Sequence, residues 1–372
     1  MSEIKVNSIK GVGASAAAIT VNNTDGTCTA NITNNLSNRN MVINGGMICS
    51  QRGSSFASIT NAYCLDRYKF RNNNGVSGTF TVSQSTDTPD GFGKSLKVDV
   101  GTADAAIAAA EQFYIGTKLE GQDLQRLAKG TSGAKKSVLS FYVKTNKTGQ
   151  YSVLLYDGDN SRMFSTSYTV SNTNWNRYTI DVAADTTGAY ANDNGASLEL
   201  FWYLGLGTNR TSGTLTNAWA AYADANVGPG QVNFADSTSN EFYITGIQYE
   251  VNESGVATDF EHRSFGQELQ LCRRYFQIIG PSVGEGQSSS NIQGTIQAIP
   301  FMRANPSMAI IDNSNNVGLA GTGSNSVTSI GTIYVEGESL GMGGWAEMGG
   351  SGFTANRQYH IYGGKFSFSA EL

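Results

Sequence analysis

Between residues 78 and 251 the chain is a succession of short runs in which apolar and polar side chains alternate with a period of two. About nine such runs can be read, among them GTFTVSQST, SLKVDV, SVLSFYVKT, QYSVLLYD, SLELFWYLGL and EFYITGIQYEV, with turn-forming residues between them. Successive side chains of a β-strand point to opposite faces, so this period buries one face and leaves the other wet. In SVLSFYVKT the buried set is Leu139, Phe141 and Val143, and the opposite set is Val138, Ser140, Tyr142 and Lys144. Many short strands of this kind predict an antiparallel β-sandwich.

Composition agrees. Gly supplies 44 of 372 residues and charged residues only 15%, against usual shares of about 7% and about 25%. With 17 Tyr and 17 Phe the chain can fill a core and is not of disordered type. Its net charge is −5 and it has no long basic run, which argues against a nucleic-acid partner. No apolar run approaches the ~20 residues that span a bilayer, so membrane insertion is not expected, and the N-terminus lacks the apolar core of a signal peptide. Cys28, Cys49, Cys64 and Cys272 lack metal-ligand spacing and read as buried free thiols.

The fold class expected is all-β: a jelly-roll-like sandwich plus a smaller distal β-domain, joined by one amphipathic helix. Residues 1–37, poor in large apolar side chains, read as an attachment arm that packs on another protein or chain. Residues 38–262 form the central sandwich. Within it AYCLDRYKF reads as one strand carrying an architectural Asp66–Arg67 ion pair, and LEGQDLQRLAKG as a short helix with Leu119, Leu124 and Leu127 inward. Trp175, in NTNWNRYTI, is expected to anchor the core.

The stretch FEHRSFGQELQLCRRYFQ is the strongest helical signal. Phe265, Leu269, Cys272, Phe276 and Ile279 recur at helical spacing, Ser264 and Gln267 form a capping box, and Gly280-Pro281 ends the pattern. A helix over 264–279 would be about 24 Å long at ~1.5 Å per residue. The segment 263–280 either closes one end of the sandwich or meets symmetry copies of itself, so its stripe is a subunit or domain contact. Residues 281–372 form the distal β-domain.

No nucleophile elbow, phosphate-binding loop or zinc-protease motif is present, no cofactor is called for, and no enzymatic activity is expected. His262 reads as a partner of the helix start and His360 as a strand-surface residue. A glycosidase needs two carboxylates about 5–10 Å apart. Asp157, Asp159, Glu199 and Asp224 are available, but sequence does not pair them. Asp157, Asp159 and Asn160 in DGDNSR have the alternate oxygens of a weak Ca²⁺ site, and a plain β-turn is the simpler reading. Sugars stack C–H groups on flat aromatic rings and bond their hydroxyls to polar side chains. Trp202, Trp219, Tyr222 and Trp345 are the candidate glycan-binding residues. Trp202 adjoins Tyr203 on a strand, so at most one of the two is expected in the core.

Five stretches carry a resemblance when taken in order: NRNMVINGGMICSQRGSSF, CLDRYKF, KLEGQDLQRLAKGTSGAKKSVLSFYVKTNKTGQYSV, NWNRYTI and FEHRSFGQELQLCRRYFQ. Together, over roughly 38–277, they resemble tail-fibre and related virion appendage proteins of tailed bacteriophages, notably those of marine bacteria and cyanobacteria. The resemblance implies a carbohydrate-binding-like sandwich, location on the virion after synthesis in the host cytoplasm, and a homotrimer. It also implies attachment to other virion proteins through the N-terminal arm and multivalent, non-enzymatic contact with host surface glycan. A purely structural capsid decoration or tail adaptor, and a glycan depolymerase tailspike, are the alternatives.

Overall fold

The computed structural model describes residues 6–12, 18–21, 24, 28–30, 38–73, 75–279, 283–296, 302–304, 306–312, 316–319, 322–335, 344–362 and 365–372. The alternating runs form two antiparallel sheets packed face to face. The first has six strands in the order Asn176–Val182, Ser137–Thr145, Glu241–Val251, Ser95–Thr102, Thr79–Ser85 and Ser55–Phe56. The second has seven, in the order Ala220–Ala221, Arg162–Val170, Gly149–Asp157, Ala196–Leu206, Gln112–Glu120, Lys69–Asn73 and Asn61–Tyr63. Neighbours in these lists are often far apart in sequence, as expected of a jelly-roll-like sandwich.

The core lies between the sheets. Leu139, Phe141 and Val143 face it from one side, and Val153, Leu155, Leu200 and Trp202 from the other. Phe141 meets Trp202 and Tyr168 edge-on, at centroid distances of 5.6 and 5.1 Å. Trp202 is fully buried and Tyr203 is 4% exposed, so both neighbours are core. Strict alternation holds, but part of the outer face of the seven-stranded sheet is covered too: Tyr203, Leu154, Met163, Leu206 and Val227 form a second, smaller cluster.

In the six-stranded sheet the pairing Ser140↔Gln248 is followed by Tyr142↔Thr245, so the longer strand carries one extra residue. Gly246 at φ +63° takes up the bulge. A Cβ there would lie 2.7 Å from the Tyr142 ring and 2.8 Å from Phe92, so only glycine lets these rings close over the sheet.

Several sequence expectations are corrected. AYCLDRYKF is a hairpin, Asn61–Tyr63 and Lys69–Asn73, turning at Arg67 with φ +72°. Asp66 pairs with Arg52 at 3.5 Å, and Arg67 with Glu371. The short helix is a 3-10 helix over Gly121–Leu127, with Leu124 and Leu127 buried. The α-helix spans only Phe265–Arg273, and Phe276–Ile279 is a strand paired with Lys365–Ser369. The Ser264–Gln267 capping box forms as expected. The buried face is Glu268 and Cys272, whereas Phe265 is 58% exposed and Leu269 half-buried. The apolar stripe therefore does not exist as one surface, because its last two members stand on a strand. Cys272 packs within its own chain, where a hydrogen bond to Cys49, reinforced by burial, raises its thiol well above the ordinary range. Cys49, Cys64 and Cys272 are buried free thiols.

Beyond the helix, six strands close a barrel in the order Val283–Gly286, Asn291–Ile296, Gly344–Gly350, Thr322–Val335, Asn316–Leu319 and Gln358–Tyr362. Phe276–Ile279, Lys365–Ser369 and Ser307–Asp312 make a three-stranded sheet beside it. Polar contacts join this unit to the sandwich. The fully buried Glu120 carboxylate accepts from Arg274 at 2.7 Å and faces Arg303 at 3.6 Å. Arg52 and Arg67 both reach Glu371, and their guanidinium carbons lie 3.6 Å from the Phe276 ring centroid and 3.4 Å from that of Tyr275. In the 1–37 stretch, Ser8–Ile9, Ile19–Val21 and Cys28–Ala30 pair as a small sheet, and most of the remaining arm lies outside the described residues.

Candidate functional site: a groove on the six-stranded sheet

The outer face of the six-stranded sheet carries the polar set of each alternating strand. One half of it is covered. The Phe92 ring packs on Tyr142, Phe260 and His262 at centroid distances of 5.2, 5.0 and 5.1 Å. His262 therefore belongs to this aromatic cover and not to the helix start. The other half is open, as a groove of about 380 Å³ between Trp175, Tyr243, Lys144, Glu241, Asn146 and Asn174.

Local structure holds each of these groups in place. Trp175 sits at the end of the polar turn before strand Asn176–Val182, where the Asn172 side chain accepts from the Asn174 backbone N–H at 3.0 Å. Its indole N–H donates to Asp87 Oδ1 at 2.9 Å, and Lys144 Nζ donates to Asp87 Oδ2 at 2.6 Å. The Trp175 and Tyr243 rings meet at 65° with centroids 6.1 Å apart. Tyr243 donates its hydroxyl to Glu241 Oε2 at 3.0 Å. Lys97 bridges Asp99 at 2.7 Å and Glu241 at 2.8 Å, and the Lys97 and Lys144 ammoniums lie 5.4 and 5.5 Å from the Tyr243 ring centroid.

These pairs fix the charge state. The hydrogen bond from Lys97 holds the Glu241 carboxyl below its ordinary range against partial burial. Burial pushes Asp87 up, but hydrogen bonds from Lys144 and Trp175 outweigh it and hold the carboxyl low. Burial would lower Lys97, yet its two carboxylate partners raise it. Two cations face three carboxylates, Asp87, Asp99 and Glu241, so the groove carries one excess negative charge that is spread over internal pairs. It offers the partly exposed Trp175 ring, backed by the largely buried Tyr243 ring, in a polar rim that includes the exposed Thr173 and Asn174. That combination suits stacking of a sugar ring with hydrogen bonds to its hydroxyls.

The structure does not bring the sequence-predicted site residues together. Trp202 is in the core and unavailable. Trp219 is half-buried, donates its indole N–H to the Ala183 carbonyl at 3.0 Å, and lies 5.2 Å from Lys129 Nζ. Tyr222 is 38% exposed, on the far sheet, donating to Asp224 at 2.7 Å. Trp345 belongs to strand Gly344–Gly350, paired with Thr295 and Tyr334, apart from the sandwich. His360 also lies on a strand, Gln358–Tyr362.

Asp157, Asp159 and Asn160 do not form a cation site. Asp157 is fully buried against the Lys129 ammonium at 2.5 Å, and the Asn160 amide donates to it. Asp159 accepts from the Ala191 N–H at 2.9 Å. An ammonium thus occupies the place where Ca²⁺ would need free oxygens. Among the described residues no cluster of three or more His, Cys, Asp or Glu could hold a metal, and no helix is long and apolar enough to cross a membrane. Glu199 is engaged by Lys118 at 3.2 Å and Asp224 by Arg210 at 3.5 Å.

Trp175, expected to anchor the core, stands elsewhere. It is partly exposed and packs on the sheet's outer face. The available signal was its setting, a tryptophan among asparagines in an inter-strand turn, where a core residue is out of place.

No family model matches the chain, and no curated protein matches it. Solved structures with some likeness include the enzymatically active domain of tailspike protein 4 of bacteriophage CBA120, at 11% identity and a TM-score of 0.30, over 57% of this chain and 21% of that one. An arabinose-bound α-L-arabinofuranosidase is matched at 11% identity and TM-score 0.31, over 63% of this chain and 30% of that one. A family 11 carbohydrate-binding module from Clostridium thermocellum, in complex with a β-1,3-1,4-mixed-linked tetrasaccharide, is matched at 10% identity and TM-score 0.26, over 56% and 98%. The chain thus spans less than a third of the first two proteins, and at these values the likenesses assign no function.

Proposed function

We propose that this protein is a non-enzymatic glycan-binding protein whose sandwich holds a saccharide in the Trp175–Tyr243 groove. The observation that carries the reading is the pairing of these two rings, braced by Asp87 and Glu241, within a rim of amide, hydroxyl and charged groups. The paired charges favour a ligand read through its hydroxyls. Hydrolysis of a glycoside calls for a carboxylic acid that stays protonated until it reaches the leaving oxygen. Glu241 and Asp87 are both held toward the ionised form, which favours binding over cleavage.

The finer reading is a tail fibre or other virion appendage contacting host surface glycan, with symmetric copies multiplying weak single sites. It rests on the five ordered sequence stretches over roughly 38–277. The test has two arms. Calorimetric titration with a panel of neutral oligosaccharides is expected to find a binder whose affinity falls about tenfold or more in Trp175→Ala, the loss of a stacking partner. Gold-labelled antibody is expected to mark an appendage of the virion. Silence across the panel, or binding unaffected by Trp175→Ala, would refute the groove; label confined to the capsid surface would refute the fibre.

A further inference from the structure

The outer face of the seven-stranded sheet carries a second surface of opposite charge. Three neighbouring strands set its centre through the register Lys69↔Gly116↔Phe201. Beside that row lie Tyr63 opposite Lys69, Tyr114 opposite Arg71, and Lys118 opposite Glu199. A Cβ on Gly116 would lie 2.9 and 3.1 Å from two carbons of the Phe201 ring. The half-exposed ring is therefore laid along the sheet over the glycine, with Tyr114 edge-on behind it at 4.8 Å. A ring lying on a sheet is a platform for another flat or puckered ring.

The charges around this platform are not balanced. Lys69, Arg71 and Lys118 face Glu199 alone, an excess of two positive charges, and Glu199 pairs with Lys118 at 3.2 Å. Among the described residues no carboxylate stands within ion-pair distance of Lys69 or Arg71. The Arg71 Nη1 donates to the Tyr114 hydroxyl at 3.2 Å, but its buried Nε–H has no partner. The Lys69 ammonium has a ring contact, 5.5 Å from the Tyr63 centroid. Like charges crowded on one sheet face are a cost in the free protein that an anionic ligand removes. The groove on the opposite sheet, with its excess negative charge, has no such need.

We propose that this surface is a second carbohydrate site, selective for saccharides bearing a carboxylate, with the sugar ring on Phe201 and its acid group between Lys69 and Arg71. A chain with one neutral-sugar groove and one acidic-sugar platform on opposite faces would grip a mixed surface polysaccharide from two sides.

The full-length protein should be titrated with tetragalacturonate and with its fully methyl-esterified form, at an ionic strength of about 50 mM where screening is modest. The acid is expected to bind about tenfold tighter than the ester, and the difference should shrink as salt rises. Lys69→Gln/Arg71→Gln should abolish the preference, and Phe201→Ala should weaken both ligands; Lys136→Gln, a surface charge elsewhere, should change neither. Equal affinity for acid and ester would overturn the proposal. So would loss of acid binding in Trp175→Ala with retention in Phe201→Ala. An oligomer that dissociates in Phe201→Ala, with no saccharide bound by the intact protein, would make this face a contact between copies. Failure of neutral sugars at the groove leaves each of these outcomes readable.

Discussion

Asp185 accepts two bonds from Arg162, at 2.8 and 3.0 Å, and faces the buried Lys129 at 3.1 Å. Burial alone would raise its pKa, but these partners prevail and hold it low. Asp87 and Glu241 are lowered in the same way. A carboxyl with a depressed folded pKa stabilises the fold above its unfolded value and loses that contribution as pH falls through the folded value. Melting temperature is therefore expected to drop as pH falls below about 4. Asp185→Asn should melt lower at pH 7 yet show a shallower acid decline, as scanning calorimetry can check; parallel pH profiles would contradict this. At this scale the sequence was only partly informative. Leu139, Phe141 and Val143 were readable as core because alternation alone decides a strand's face. Trp202 and Trp175 were not, because tryptophan serves core and binding surface equally well. Trp202 points between the two sheets and Trp175 stands in a turn beside an outer face, a difference set by pairing and packing of segments distant in sequence.

At the scale of elements, the helix shows where local pattern gives way to tertiary context. The capping box fixed its start, since both partners lie within three residues. Its end did not follow the apolar spacing, because Phe276–Ile279 gains a full strand partner in Lys365–Ser369, almost a hundred residues away. The joint between sandwich and distal unit rests instead on polar and cation–ring contacts, among them Glu120, which sequence offered no reason to single out. Glu120→Gln would leave Arg274 and Arg303 without their carboxylate. Allowing for the partial exposure of the two arginines, this should cost about 2 kcal/mol. Urea unfolding should show it as a lowered midpoint, with the distal unit separating first; an unchanged midpoint would mean that the Arg52 and Arg67 contacts to Glu371, Phe276 and Tyr275 hold the joint without Glu120.

For the whole molecule, the all-β architecture and the division into a larger sandwich and a smaller distal unit were legible, because strand number and turn spacing leave few alternatives. The closed barrel was not, since closure depends on the pairing of Val283–Gly286 with Gln358–Tyr362, which no local signal encodes. The same holds for the two proposed surfaces: each draws residues from three or more strands, and the groove from turns between them as well. Saccharide is proposed to bind across Trp175 and Tyr243. The most direct test follows the four tryptophan indole N–H signals by nitrogen-15 NMR, assigned by single substitution, during titration with the best-binding neutral oligosaccharide. A saturable shift of the Trp175 signal is expected while that of buried Trp202 stays fixed. Saturable binding that leaves Trp175 unmoved would contradict it.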